Sequence, residues 1–354
     1  MSDALILNAL MALEKLEKTP GRKRKLRLEL LNPPTPMPVL KEIFRYAFDW
    51  RLGFPTLPVI EAKKNAHVRT PDQNWQEFEK IIVILSQRSL TGSQSRQFVR
   101  SFFECTSPLE TKWYLRCLQR DLHCGVSLRI LSRVWPEFNL RFGYMRPAQG
   151  HALLTEVPKR LASMPLIDGQ RVLFVVYQGC ATAYTDGFRQ VPILDALGRE
   201  LVQSDAGDYV LDGILTTPQW GDSERLLHSK LKSISALELK QFAARLKFVV
   251  NDRCSIDIFN GSIAKDETLY STRRINLEMF CHRIKSKNPK TALRLGRMHV
   301  VRNTRDLAQA YYHAEHMGHV GLSFQDFDGP YVAAATPAMW TTHFNQKQNR
   351  RSKR

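Results

Sequence analysis

Two groups of residues carry chemistry by type and spacing. His313, His316 and His319 recur every three residues, which on a continuous helix would gather imidazoles as metal ligands. Gly318 interrupts the run before the third histidine, so a surface cluster is expected there and no metal site. The six cysteines, Cys105, Cys117, Cys124, Cys180, Cys254 and Cys281, contain no Cys-x-x-Cys pair, so reduced core thiols are expected in place of a zinc ribbon or a disulfide framework. The second group is cationic. A helix expected to end near Gly125 is followed by another opening at Ser127, whose first backbone N–H groups face a position where a phosphate docks. Arg129 and Arg133, four residues apart, share a face of that second helix and extend the contact along a nucleic-acid strand. The chain contains no P-loop, no dinucleotide fingerprint and no Gly-x-Ser-x-Gly elbow.

The whole composition agrees with a polyanionic partner. The 354 residues hold 52 Lys+Arg against 34 Asp+Glu, a net charge of +18. Residues 1–150 hold 24 basic against 14 acidic residues, residues 151–345 only 23 against 20, and the last nine residues add five more basic ones, Lys347, Arg350 and Arg351 among them. Phosphate contacts are therefore expected from the first part and the tail. No apolar run approaches the ~20 residues that span a bilayer, and the N-terminus lacks a signal-peptide pattern, so no membrane partner and an intracellular, cytoplasmic location are expected.

The elements that must position these residues differ between the two halves. Residues 1–150 read as helical: 4–18 ends at Thr19-Pro20-Gly21, 22–31 at Asn32-Pro33-Pro34, and further helices are expected over 39–51 and 75–88. Ser107-Pro108-Leu109-Glu110 is a capping box with proline at the first helical position. Beyond residue 150, short β-branched and aromatic runs at 171–177, 209–216 and 247–250 alternate with helices at 235–245 and 304–316, which predicts an α+β domain on antiparallel sheet. Residues 346–354 have nothing apolar to bury and are expected to form a disordered basic tail.

The stretch Arg116-x-x-x-Arg120-Asp121-Leu122-His123-Cys124-Gly125-Val126-Ser127, continuing to Arg133-Val134-Trp135-Pro136, resembles the N-terminal DNA-binding domain of phage-type ATP-dependent DNA ligases. Lys41-Glu42-Ile43-Phe44-Arg45-Tyr46-Ala47-Phe48 and Arg88-Ser89-Leu90-Thr91-Gly92 agree in order. The resemblance implies DNA contacts from Arg116, Arg120, Ser127, Arg129 and Arg133. In the second half, Tyr209 to Leu215 resembles the strand that carries Asp-Gly-Glu in that family, and Met317 to Gln325 follows the order of the segment ending in Glu-Gly-x-x-x-Lys. The implied fold is multi-domain: an all-α DNA-binding domain at 1–150, then an antiparallel-sheet nucleotidyltransferase domain at 151–345.

The chemistry the resemblance implies is missing from the residues. A lysine in Lys-x-Asp-Gly must form the covalent link to AMP. The matching strand is read as Phe174 to Ala181, with Tyr177 in the lysine's place, and no lysine occurs between Lys159 and Lys230. Phenols ionise near pH 10, so tyrosine is a poor substitute without a base to activate it. Asp-Gly-Glu has become Asp212-Gly213-Ile214, Glu-Gly has become Val320-Gly321, Gln325 replaces a lysine, and the closing Lys-x-Lys falls on Trp340-Thr341-Thr342-His343. These changes remove nucleophile, carboxylates and cations together. The expectation is a catalytically inactive, degenerate ligase relative, without cofactor or metal, that binds duplex or nicked DNA, with protein partners in a larger nucleoprotein assembly. A divergent ligase that uses ATP and magnesium with another nucleophile, and a protein–protein scaffold on a ligase fold, are the alternatives.

Overall fold

The computed structural model describes residues 2–20, 24–33, 37–49, 52, 69–87, 90, 92–138, 144–149, 154, 156–157, 159–186, 190–205, 207–218, 236–335 and 340–344. The chain forms two compact units, Met1–Leu140 and Arg141–Arg354.

The described residues of the first unit contain helices and no strand: α1 (Asp3–Lys18), α2 (Arg24–Leu31), α3 (Pro38–Phe48), α4 (Pro71–Gln87), α5 (Gly92–Phe103), α6 (Pro108–Leu118) and α7 (Leu128–Val134). Their apolar faces meet in one core in which Phe44, Trp75, Phe78, Trp113 and Tyr114 are fully buried, with the Phe78 and Tyr114 rings stacked 4.4 Å apart. The capping box opens α6: the Ser107 N–H donates to Glu110 Oε2 at 2.8 Å and Glu110 N–H donates to Ser107 Oγ. A similar exchange between Thr70 and Gln73 starts α4 four residues before the expected position. Two helices end early for one shared reason. Helix α3 stops at Phe48, not Arg51, and α6 stops at Leu118, not near Gly125, because Arg120 turns left-handed (φ 59°) and sends its guanidinium to the carbonyls of Asp49 (2.7 Å) and Tyr46 (3.2 Å) at the end of α3.

The second unit is mixed α/β with antiparallel sheets. One five-stranded sheet has the order β5 (Cys180–Thr185), β4 (Gln170–Tyr177), β6 (Tyr209–Thr216), β7 (Lys247–Ser255) and β9 (Leu293–Leu295), antiparallel but for the last pair. A second has the order β10 (His299–Val301), β3 (Leu161–Pro165), β11 (Gly321–Asp326), β14 (Trp340–Phe344) and β2 (Ala148–Gln149). Short pairs join β1 (Met145–Arg146) to β13 (Ala334–Ala335) and β8 (Lys265–Asp266) to β12 (Tyr331–Val332). Because β1 and β2 pair with strands near the other end of the chain, the boundary falls at Leu140 and not at residue 150.

Helices α8 (Asp195–Ser204), α9 (Ala236–Arg245), α10 (Ile256–Asn260), α11 (Tyr270–Lys287) and α12 (Thr304–His316) complete the unit. Val172, Phe174, Leu211, Leu215 and Phe248 pack with Leu277, Phe280 and Ile284 of α11 in one core, and Leu307, Ala310 and Ala314 of α12 cover Leu322 and Phe324 in another. Helix α11 has no counterpart in the sequence reading. Its outward Ile275 and Met279 and inward Arg273 and Arg274 blur the apolar stripe that would betray it. No helix among the described residues is long and apolar enough to cross a membrane.

Candidate functional site

Strand alternation sorts β4 and β6 by face: Val172, Phe174, Leu211 and Leu215 turn to the helices, leaving Arg171, Asp212 and Ile214 on the opposite face. On β7 the even positions Phe248 and Val250 also turn to the helices, and continued alternation would send Asp252 after them. The register shift at Asp212/Gly213 makes Asn251 the extra residue of a bulge, which re-aims Asp252 beside Asp212. Only glycine fits opposite the bulge, since a Cβ on Gly213 would meet Phe248 Cε2 and Val250 Cα, each at 2.9 Å.

These residues and the facing strands of the second sheet enclose a cavity of about 130 Å³. Met164 and Pro165 of β3, Leu166 and Ile167 of the β3–β4 connection, and Ser323, Gln325, Trp340 and Thr342 are also in its wall. Two buried ion pairs dominate its chemistry. Arg171 grips both oxygens of Asp212, Nε to Oδ1 at 2.9 Å, donates from Nη2 to the Met145 carbonyl at 2.7 Å, and lies 4.9 Å over the ring of Trp340. Arg273 of α11 grips Asp252 in the same bidentate way, at 3.0 and 2.9 Å. Burial pushes the Asp212 carboxyl above the ordinary aspartate value, and the Arg171 guanidinium pulls it back. Burial also works against the Arg171 charge, yet the Asp212 carboxylate holds the guanidinium pKa above its usual value. Both arginines are thereby committed to protein carboxylates.

Tyr177, expected in the nucleophile's place, is not at this cavity. Tyr177 ends β4 at the left-handed Gln178-Gly179 turn, six residues and therefore roughly 20 Å along the strand from Arg171, and does not line the cavity. Leu166 and Ile167 of the stretch Leu166-Ile167-Asp168-Gly169, just before β4, stand at the cavity instead. In the sequence this turn is marked by an Asp-Gly pair directly before the apolar run of β4. Gly169 is needed there because a Cβ would strike the Leu215 carbonyl across the sheet. Ile214 and Gln325 do line the cavity, Gln325 being 4% exposed, while Val320 precedes β11 outside it. No lysine is among the described residues of the wall. Asp252, Arg273 and Asn251 were not foreseen, since their placement depends on a bulge and on α11.

In the first unit the expected cationic face is divided. Arg120 is buried, 8% exposed, and serves as the internal tie described above. Arg116 donates to Glu17 Oε1 at 2.9 Å and lies 5.0 Å over the Trp113 ring. Both were expected to face DNA; the carbonyls of α3 and the carboxylate of Glu17 occupy them instead. Arg27 crosses from α2 to the Gly125 carbonyl and donates to Thr19 O at 2.7 Å, so that a Cβ on left-handed Gly125 (φ 69°) would collide with its guanidinium. Ser127 stands exposed at the N-cap of the seven-residue α7, and its side chain makes no capping bond. Arg133 is exposed; the Arg129 side chain, and Lys347, Arg350 and Arg351 of the tail, lie outside the described residues. Lys15, Lys18, Lys25 and Arg69 are further exposed cations without an ion-pair partner among the described residues.

His316 is drawn to Tyr312, its Nδ1 2.9 Å from the Tyr312 carbonyl, and among the described residues no group of three His, Cys, Asp or Glu side chains is arranged to hold a metal ion.

The fold is similar to that of the solved structure Pmar-Lig_Pre, with a TM-score of 0.50 and 18% identity over 95% of this chain and 78% of that one. The ATP-dependent DNA ligase from bacteriophage T7 in complex with ATP gives a TM-score of 0.48 at 15% identity, over 59% of this chain and 70% of its own. A Chlorella virus DNA ligase-adenylate gives 0.43 at 13% identity, over 57% of this chain and 67% of its own. No protein-family model and no curated protein matches the chain. At these identities the likeness is one of fold alone.

Proposed function

We propose that this chain is a DNA-binding, ligase-like protein that carries no nucleotide on a lysine and seals no nick, and that it holds duplex or nicked DNA by phosphate contacts within a larger nucleoprotein assembly. The observation that carries the reading is the cavity wall. Where a transferase of this fold needs an amine nucleophile and cations to neutralise phosphates, the wall offers Leu166, Ile214 and Gln325, and its Arg171 is already neutralised by Asp212. The cavity of about 130 Å³ is also below the roughly 300–1,000 Å³ usual for small-molecule sites. DNA contact is supported by the charge of the first 150 residues and of the tail, and by exposed cations that have no ion-pair partner among the described residues, Arg133 included.

Incubation with labelled ATP and magnesium or manganese, followed by intact-mass measurement, is expected to give no covalent AMP. Covalent AMP on any residue overturns the inactive reading in favour of a divergent ligase. Gel shifts on nicked and intact duplex are expected to show binding that falls steeply with salt and depends little on sequence. Replacing Arg129 and Arg133 together with alanine is expected to cost about 1–3 kcal/mol of that binding if both touch phosphates. Salt-independent binding, or none, favours the protein-scaffold alternative.

A further inference from the structure

A second cavity, of about 370 Å³, lies on the other face of the second sheet, beneath α12. Ser323 and Gln325 of β11 face the first cavity, whereas Leu322 faces this one. Ala310, His313, Ala314 and Met317 recur at helical spacing along the end of α12 and its cap, and the two alanines leave space where longer side chains would close on the sheet. The opposite wall carries a guanidinium and two imidazoles. His299 pairs across the strands with Ser163 and so shares its face, and Arg297 and His319 stand beside it. Among the described residues no carboxylate lines the cavity and the Arg297 guanidinium has no ion-pair or hydrogen-bond partner. An apolar floor under one unpaired guanidinium and three imidazoles is complementary to an anion attached to an apolar body. A guanidinium and imidazole N–H donors together suit the three oxygens of a phosphate monoester. The volume is in the range of small-molecule sites.

We propose that this cavity binds a small phosphate monoester with a flat or apolar organic group, the phosphate held by Arg297, His299, His313 and His319 and the organic group seated on Ala310, Ala314 and Leu322. The site is independent of the ligase-like reading. It uses neither the first cavity nor the cations assigned to DNA.

The test is a titration of the full chain with phenyl phosphate at pH 7, followed by calorimetry and by the ring proton resonances of the histidines. Saturable binding with a Kd below about 1 mM is expected, together with shifts confined to His299, His313 and His319. Inorganic phosphate and phenol, which each present half of the ligand, are expected to bind at least about tenfold more weakly. Arg297→Ala, at an exposed position, is expected to weaken phenyl phosphate at least about tenfold while leaving the fold intact. Arg302→Ala, an exposed arginine outside the cavity, is expected to change nothing. Absence of saturable binding, equal affinity for inorganic phosphate, or undiminished binding by folded Arg297→Ala overturns the proposal.

Discussion

Replacing Arg171 by methionine tests whether the cation in the first cavity is structural. The side chains of Arg171 and Asp212 are 16% and 6% exposed. Removing the guanidinium leaves the Asp212 carboxylate nearly dry, without its two charge-assisted hydrogen bonds. Breaking a buried pair from one side costs about 3–5 kcal/mol, whereas replacing both partners by apolar residues of similar volume is close to neutral. Arg171→Met is therefore expected to lower the melting temperature by roughly 6–20 °C, taking about 2–4 °C per kcal/mol for a unit of this size. The double variant with Asp212→Leu is expected to recover most of that loss. A pH series sharpens the test. Burial already raises the Asp212 carboxyl, and the loss of Arg171, which lowers it, raises it further. A carboxyl whose folded pKa exceeds its unfolded value binds its proton more readily when folded, so stability declines as pH rises from about 4 through the raised value. The deficit of Arg171→Met against the parent is thus expected to be smaller at pH 5 than at pH 7, read by denaturant unfolding of each protein at each pH. A deficit under about 1 kcal/mol, or a double variant no better than the single, refutes the view that Arg171 serves the fold and is unavailable to a phosphate.

Three further outcomes are expected. Arg120→Ala should destabilise the first unit by about 1–3 kcal/mol, because the Tyr46 and Asp49 carbonyls lose the hydrogen bonds from its guanidinium; an unchanged denaturation midpoint would make Arg120 a candidate DNA contact again. Glu17 is held below the usual glutamate value chiefly by its hydrogen bond from Lys112, and then by Arg116. Its contribution is complete above about pH 4.5 and lost as pH falls through the lowered folded value, so the stability difference between the parent and Glu17→Gln should shrink from pH 7 toward pH 3. Burial, and then the charge of Arg297, hold His319 below the ordinary histidine value. Its pKa, followed by NMR, should rise in Arg297→Ala yet stay below that of an exposed histidine.

What the residues determined by themselves is local. The capping box at Ser107 to Glu110, the proline-rich stops after α1 and α2, and the β-branched runs of β4 and β6 act over a few residues, where turn chemistry and alternation govern the backbone, and each is legible in order along the chain. Charge density is legible too, being a sum over residues. The absence of lysine from residues 160–229 likewise needs no coordinates. Only the tertiary structure decided which residues stand at the cavity. Leu166 and Tyr177 are eleven positions apart, before the start and at the end of β4, and the facing of the two sheets brings Leu166 to the cavity. Asp252 joins Asp212 through a single bulge at Asn251 that reverses the alternation of its strand, an event set by cross-strand register. Arg120 was expected at a DNA surface from the resemblance of its motif. It is buried because its guanidinium meets the Tyr46 and Asp49 carbonyls at the C-terminal end of α3, more than seventy residues earlier, and burying a guanidinium is tolerable only where such acceptors meet it.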